Sequence, residues 1–203
     1  EDTTQELAED QLRMGIVRAN KSLPPEPNIQ DDLTRTTLVI GGGVAGMTAA
    51  LESAAAGYDV VLVEKEDKLG GWAAKMYKIL PTKAPWADLD TSHAHKKAEA
   101  VMNHPKVDVR LNTKIDEIAD EPGKYKVTLT GNGQTDTIDI GSIVMATGWR
   151  PYENSEHNAE ALKSDFLYET NKNVITGVQM EELARANDGK IPRPSDGKPA
   201  RRV

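Results

Sequence analysis

Three glycines, Gly41, Gly43 and Gly46, follow the apolar run TLVI and open an Ala-rich stretch. An acid, Glu64, closes the next apolar run, VVLV. Glycines at this spacing are common by chance, and what gives them meaning is the succession strand, glycine turn, helix, strand, acid. With no Cβ, Gly41 permits a tight turn, Gly43 lets a phosphate approach the backbone, and Gly46 lets the helix lie against the strand. The helix's first turn, Val44 and Ala45 with Gly46, has N–H groups without helical partners at the positive end of the dipole, as pyrophosphate binding requires. Glu64, with Lys65 beside it, stands where a carboxylate accepts the hydroxyls of an adenosine ribose. Its charge repels a 2′-phosphate, which argues against NADP. The competing reading is a glycine turn that only packs a βα unit. Nothing so far separates FAD from NAD, since both carry the same ADP half.

The surrounding elements are those such a site needs. TTLVI and VVLVE read as buried parallel strands. Ala45, Ala49, Ala50, Ala54 and Ala55 give the intervening helix a face small enough to lie close to a sheet, and Gly57 closes it. SHAHKKAEAVMNHP predicts a short helix, VDVRLN a third strand, and SIVMATG a further continuous buried strand. KYKVTLT and DTIDI alternate about the turn GNGQ, as in an antiparallel hairpin with one exposed face. Residues 66 to 91 read as loop with about one helical turn. Upstream, residues 3 to 22 are loosely helical until SLPPEPN stops them. This arm either docks elsewhere or lies on its own domain. Beyond Pro151, NSEHNAEALKSD predicts loop and helix, NVIT a short extended piece and VQMEELARAN a helix.

Bulk properties exclude several classes. The 25 basic and 32 acidic side chains give a net charge of −7, with no basic block to follow a phosphate backbone, so nucleic acid is not an expected partner. No apolar run reaches the roughly 18 residues of a membrane span, and the acidic start is unlike a secretory signal. With no cysteine, this chain makes no disulfide, thiolate-held cluster or dithiol. His93, His95 and His104 lack ligand spacing and read as surface histidines, with Asp88 and Asp90 adding little. Ser142, Ser155 and Ser164 have no neighbouring histidine or nucleophile elbow. No catalytic side chain and no metal site are expected, so any electron handled here rides on a bound organic cofactor.

Two further stretches bear on that cofactor. EKEDKLGG puts Gly70 and Gly71 shortly after the ribose acid, and SIVMATG ends a strand in Ala146, Thr147 and Gly148. Both resemble motifs of the two-dinucleotide-binding-domain flavoproteins, the glutathione-reductase-like group. The resemblance implies FAD, a glycine pair close to its pyrophosphate and ribityl chain, and an Ala-Thr-Gly turn where the chain leaves the FAD domain beside the cofactor. It also implies that the backbone of Ile115 lies against the adenine. Trp72, directly after the glycine pair, is a candidate to flank the flavin, against ordinary burial. Lys78 is a candidate to bring positive charge to the reduced ring, against a solvated lysine.

A longer series resembles, in order, the A-type flavoprotein subunit of heterodisulfide reductase, including the type found in quinone-interacting membrane-bound oxidoreductase complexes. It comprises VIGGGVAGMTAALESAAAGYDVVLVEKEDKLGG, MYKILPT, HPKVDVRLNTKIDEIADEPGKYKVTL, IVMATGWRPY, NVITGVQMEELA and RPSDGKP. What it implies is an FAD that passes electrons between iron–sulfur partner subunits or, in some members, splits electron pairs between two acceptors. The sequence departs from the methanogen type in having no cysteines after the Pro-Thr segment, which excludes a cluster there. The family's second nucleotide-binding half is also missing after RPSDGKP; either a partner supplies it or, the favoured reading, the chain is an excised fragment.

The expectation is a three-layer α/β domain, FAD/NAD(P)-binding and Rossmann-like, with a central parallel sheet and a small antiparallel insert. Residues 1–33 are read as a helical arm and Pro-rich linker, 34–152 as the FAD-binding domain, and 153–203 as a C-terminal extension and linker. The expected location is the cytoplasm, at most peripheral to a membrane complex through partners. An NAD-dependent dehydrogenase half-domain and a non-catalytic interaction module with a degenerate dinucleotide site are the alternatives.

Overall fold

The computed structural model describes residues 2–25, 32–149, 163 and 165–200. The chain forms two units, Glu1–Asp32 and Leu33–Val203. The first is helix α1 (Asp2–Lys21), with Arg18 and Lys21 in the last turn where cations favour the helix dipole. Ser22 ends it by returning its N–H and hydroxyl to the Arg18 carbonyl at 2.9 and 2.7 Å. Leu7, Leu12, Met14, Ile16 and Val17 of α1 are all exposed.

The second unit starts with β1 (Thr37–Ile40), α2 (Val44–Ala55) and β2 (Val60–Val63). Next come α3 (Gly71–Lys75), α4 (Ala94–Met102) and β3 (Val107–Arg110). Strands β4 (Thr113–Ala119), β5 (Tyr125–Gly131) and β6 (Gln134–Ile140) follow, then β7 (Ser142–Met145) and a final helix, α5 (Gly177–Ala186). A parallel sheet runs β3-β2-β1-β7, with Thr37 level with Val60 on one side and Ser142 on the other. The second sheet, β4-β5-β6, is antiparallel.

Alternation along the strands builds two cores. Val39, Val60 and Leu62 face α2 and α4, meeting Met47, Ala50, Ala54 and Val101. Leu38, Val61 and Val63 face the antiparallel sheet, meeting Val127, Leu129 and Ile140. Helices, parallel sheet and antiparallel sheet are therefore the three layers, and the expected fold class is borne out. Each fully buried Leu or Val contributes about 1.5–3 kcal/mol. The hairpin turns at Asn132 and Gly133, with φ of 51° and 77°, the left-handed pair that a tight two-residue turn demands.

Three details differ from the expected pattern. The hairpin gains a third strand, β4, which the sequence hides because Lys114, Asp116 and Glu117 are exposed and a bulge between Ile115 and Glu117 breaks the alternation. Strand β7 is not a buried central strand. Among the described residues only β1 pairs with it, so Ser142 and Met145 are exposed while Ile143 and Val144 are half-buried. NVIT forms no strand; its Thr176 is the extended N-cap of α5. Of the loop and helix expected in NSEHNAEALKSD, all but Lys163 and Asp165 lie outside the described residues.

Candidate dinucleotide site

The glycine turn sits where β1 feeds α2, and each glycine has its own surroundings. Gly41 has a φ of 107°, and a Cβ there would collide with the Ala146 carbonyl oxygen. A Cβ on Gly46 would collide with the Gly41 carbonyl oxygen, and one on Gly42 with Leu69, lying also 3.0 Å from Glu64 Oε2. Gly43 differs from all three. Its φ of −72° suits any residue, and a Cβ there would meet nothing within 4 Å. The protein's own packing therefore gives no reason for a glycine at 43, whereas a group from outside the chain would: a side chain would fill the space in front of the helix.

Gly43 is the N-cap of α2, and no side chain caps that helix. Val44 and Ala45 are exposed, and Met47 is the first residue to bond back, to the Gly43 carbonyl at 2.9 Å. The first-turn amides thus face open space with the dipole behind them, the arrangement a phosphate needs.

Glu64 ends β2 and is 7% exposed. Its Oε2 accepts the Gly42 N–H at 2.6 Å and its Oε1 the Glu66 N–H at 2.9 Å. One protein donor per oxygen leaves lone pairs for ribose hydroxyls. The carboxylate also locks the turn to the strand end, a role for Gly42 that the motif spacing did not reveal. Lys65 points elsewhere, pairing with Glu66 at 3.6 Å on the surface.

The second glycine pair lies against the first turn. Gly70 bridges to Gly43, its N–H donating to the Gly42 carbonyl at 2.8 Å. A Cβ on Gly71 would stand 3.1 Å from the Gly43 Cα. Gly70 and Gly71 have φ of 116° and 53°, which brings the chain close where α3 begins. Ala146 joins from the other side, donating to the Ile40 carbonyl at 2.8 Å. Gly41, Gly42, Gly43, Gly46, Glu64, Gly70, Gly71 and Ala146 are therefore one constellation.

Trp72 is half-buried rather than in the core. It stacks on Trp149 with centroids 5.3 Å apart and 21° between planes, and its Nε1–H donates to the Trp149 carbonyl at 3.1 Å. The Lys75 ammonium lies 4.4 Å from the Trp72 ring centre. Sequence reading missed Trp149; the available signal was an aromatic directly after Thr147-Gly148, as Trp72 follows Gly70-Gly71. Thr147 and Gly148 are exposed. Ile115 pairs with Leu129 inside the antiparallel sheet, two residues after Thr113, whose N–H donates to the Glu64 carbonyl at 3.0 Å. Lys78 is exposed, 5.8 Å from the centre of the Tyr77 ring. His93 lies 3.2 Å from Asp90 on the surface. Among the described residues no group of histidines and acids could hold a metal ion, and no helix is long and apolar enough to cross a membrane.

Residues 39–79 match the family described as an NAD(P)-binding Rossmann-like domain. Over 98% of its length the chain is 26% identical to the A-type iron-sulfur subunit 2 of CoB–CoM heterodisulfide reductase from Methanopyrus kandleri. In sequence, then, the chain is similar to A-type subunits of heterodisulfide reductases. It is also 35% identical, over 60% of its length, to the A-type subunit of the ferredoxin:CoB-CoM heterodisulfide reductase from Methanosarcina mazei. The chain spans 40% of the Methanopyrus relative and 15% of the Methanosarcina one. The Methanopyrus alignment runs over 277 positions, more than the 203 residues here, so that relative carries stretches without a counterpart. Among solved structures, Lactococcus lactis thioredoxin reductase superposes with a TM-score of 0.47 and 24% identity, over 63% of this chain and 41% of that one.

Proposed function

We propose that residues 34–152 bind FAD and that the chain is the FAD-holding part of an electron-transferring flavoprotein of the heterodisulfide reductase A type. The observation that carries this reading is Gly43, a glycine that neither its φ nor its neighbours require, set before an uncapped helix N-terminus. FAD is favoured over NAD by the second glycine pair against Gly43 and by the Ala146–Gly148 turn beside Gly41. Bound there, the flavin supplies the hydride and electron transfer. This chain's residues hold the cofactor. The α2 amides and Gly43 take the pyrophosphate, Glu64 the ribose hydroxyls, the Gly70-Gly71 backbone covers the phosphates, and the Ile115 backbone lies by the adenine. No side chain acts as acid or base.

With no cysteine of its own, the chain hands electrons to iron–sulfur partner subunits, in the cytoplasm or at the periphery of a membrane complex. Residues 1–33 serve as an arm and 153–203 as an extension from the cofactor domain.

The test is to mix purified protein with FAD, desalt it, and record the visible spectrum of wild type and Gly43→Val. Flavin bands retained by wild type and lost from a folded Gly43→Val protein are expected. Retention by Gly43→Val at wild-type affinity overturns the placement. A colourless wild type that retains NADH instead establishes the dehydrogenase alternative.

A further inference from the structure

The helix α5 is far from the glycine turn in sequence, yet it grips the segment that leaves the glycine pair. Arg185 donates through Nη2 to the carbonyls of Ala74 and Met76, at 2.9 and 3.1 Å. These carbonyls lie at the C-terminal end of α3, where a helix leaves acceptors unpaired and a cation opposes the dipole. One turn earlier on the same face of α5, Glu181 accepts the Tyr77 N–H through Oε2 at 2.7 Å. The Tyr77 hydroxyl then donates to Asp188 at 3.1 Å. Its ring sides against Gly189, where a Cβ would stand 3.3 Å from Tyr77 Cε1.

Ala184 is the buried residue of α5, with Val178, Met180 and Leu183 half-buried, and these polar contacts add to that burial in holding it to the domain. Its own start is fixed by a capping box between Thr176 and Gln179. At the other end of the gripped segment, the five residues of α3 lead straight back to Gly71, against the Gly43 Cα.

We infer that α5 is a clasp that sets how closely Gly70-Gly71 approaches Gly43, with Arg185 and Glu181 as positioning residues for the dinucleotide site. Fixing both ends of a short helix leaves the glycine pair, the most permissive backbone in the segment, little freedom to swing away. Cofactor affinity thereby depends on a helix whose hydrogen bonds go to residues beyond the glycine pair, Ala74, Met76 and Tyr77. The cofactor side of this inference rests on the FAD reading above; the clasp itself does not.

The experiment uses the full chain as wild type, Glu181→Ala, Glu181→Gln and Arg185→Ala. Amide hydrogen exchange is followed across residues 70–79 without cofactor, and FAD is titrated by fluorescence. Both alanine variants are expected to exchange about fivefold faster or more in this segment and to bind FAD about fivefold more weakly. Glu181→Gln keeps an oxygen to accept the Tyr77 N–H and is expected within about twofold of wild type in both measurements. Unchanged exchange in both alanine variants overturns the clasp. Faster exchange with unchanged FAD affinity overturns its link to the site. A wild type that binds no FAD refutes the cofactor reading instead, and the exchange comparison then decides the clasp alone.

Discussion

Gly42 donates its backbone N–H to Glu64 Oε2 at 2.6 Å, which joins the glycine turn to the end of β2 through a buried carboxylate. The other oxygen accepts from Glu66, so both are needed as acceptors. Glutamine has one acceptor oxygen, and its amide nitrogen would face a backbone N–H. Glu64→Gln is therefore expected to lose about 1–3 kcal/mol, the cost of an unsatisfied buried donor, and to weaken FAD binding about tenfold or more. Urea unfolding and FAD titration measure the two effects. A variant as stable as wild type contradicts the part assigned to this bond.

Gly43 and Gly46 separate ligand space from packing space. Gly46→Ala pushes a methyl into the Gly41 carbonyl, which must drive α2 off the sheet at a cost of about 2 kcal/mol or more. Gly43→Ala meets nothing and loses only the preference for glycine over alanine at an N-cap, about 1 kcal/mol or less. The expected pattern is opposite in the two assays. Gly46→Ala lowers stability, while Gly43→Ala unfolds almost as wild type yet loses at least about tenfold in FAD affinity.

What the sequence disclosed and what it concealed divide along physical lines. Strands β1 and β2 were legible because burial on both faces leaves an unbroken apolar run, and α2 because its sheet face needs small residues. Glu64 was legible through its spacing from the glycines. Strand β4 was not, since its strand character comes from pairing with β5 while Lys114, Asp116 and Glu117 face solvent. Strand β7 has the apolar composition of a central strand, and no local signal tells that only β1 pairs with it among the described residues. Backbone bonds such as Gly42 to Glu64 leave no residue-type signature. The Trp72–Trp149 and Tyr77–Glu181 contacts join residues 77 and 104 apart, beyond any periodicity.

The stacked Trp72 and Trp149 should behave as a unit. Offset-stacked rings are worth about 0.5–1.5 kcal/mol beyond their burial, and the indole N–H bond to the Trp149 carbonyl survives substitution of the Trp149 side chain. A double-mutant cycle of Trp72→Ala and Trp149→Ala is thus expected to give a coupling of about 1 kcal/mol. Either single substitution should remove the same near-ultraviolet circular dichroism band. Trp86 is exposed and has no ring partner among the described residues, so Trp86→Ala should leave that band in place. Additive single effects would show that the stack has no energetic consequence.

Tyr77 gives a pH test of the clasp. Its hydrogen bond to Asp188, desolvation and the nearby negative charge all favour the neutral phenol, raising its pKa above the ordinary tyrosine value. The folded chain then holds the proton more tightly than the unfolded one. The resulting stabilisation is fully present below the unfolded pKa, about 10, and is lost as pH rises through the folded value. Absorbance titration at alkaline pH should show Tyr77 ionising late in wild type. Asp188→Ala removes both the acceptor and the charge, so this late ionisation should move to lower pH, and the decline of stability with alkaline pH should become shallower. An unaltered late titration in Asp188→Ala would place the perturbed phenol elsewhere and detach Tyr77 from the end of α5.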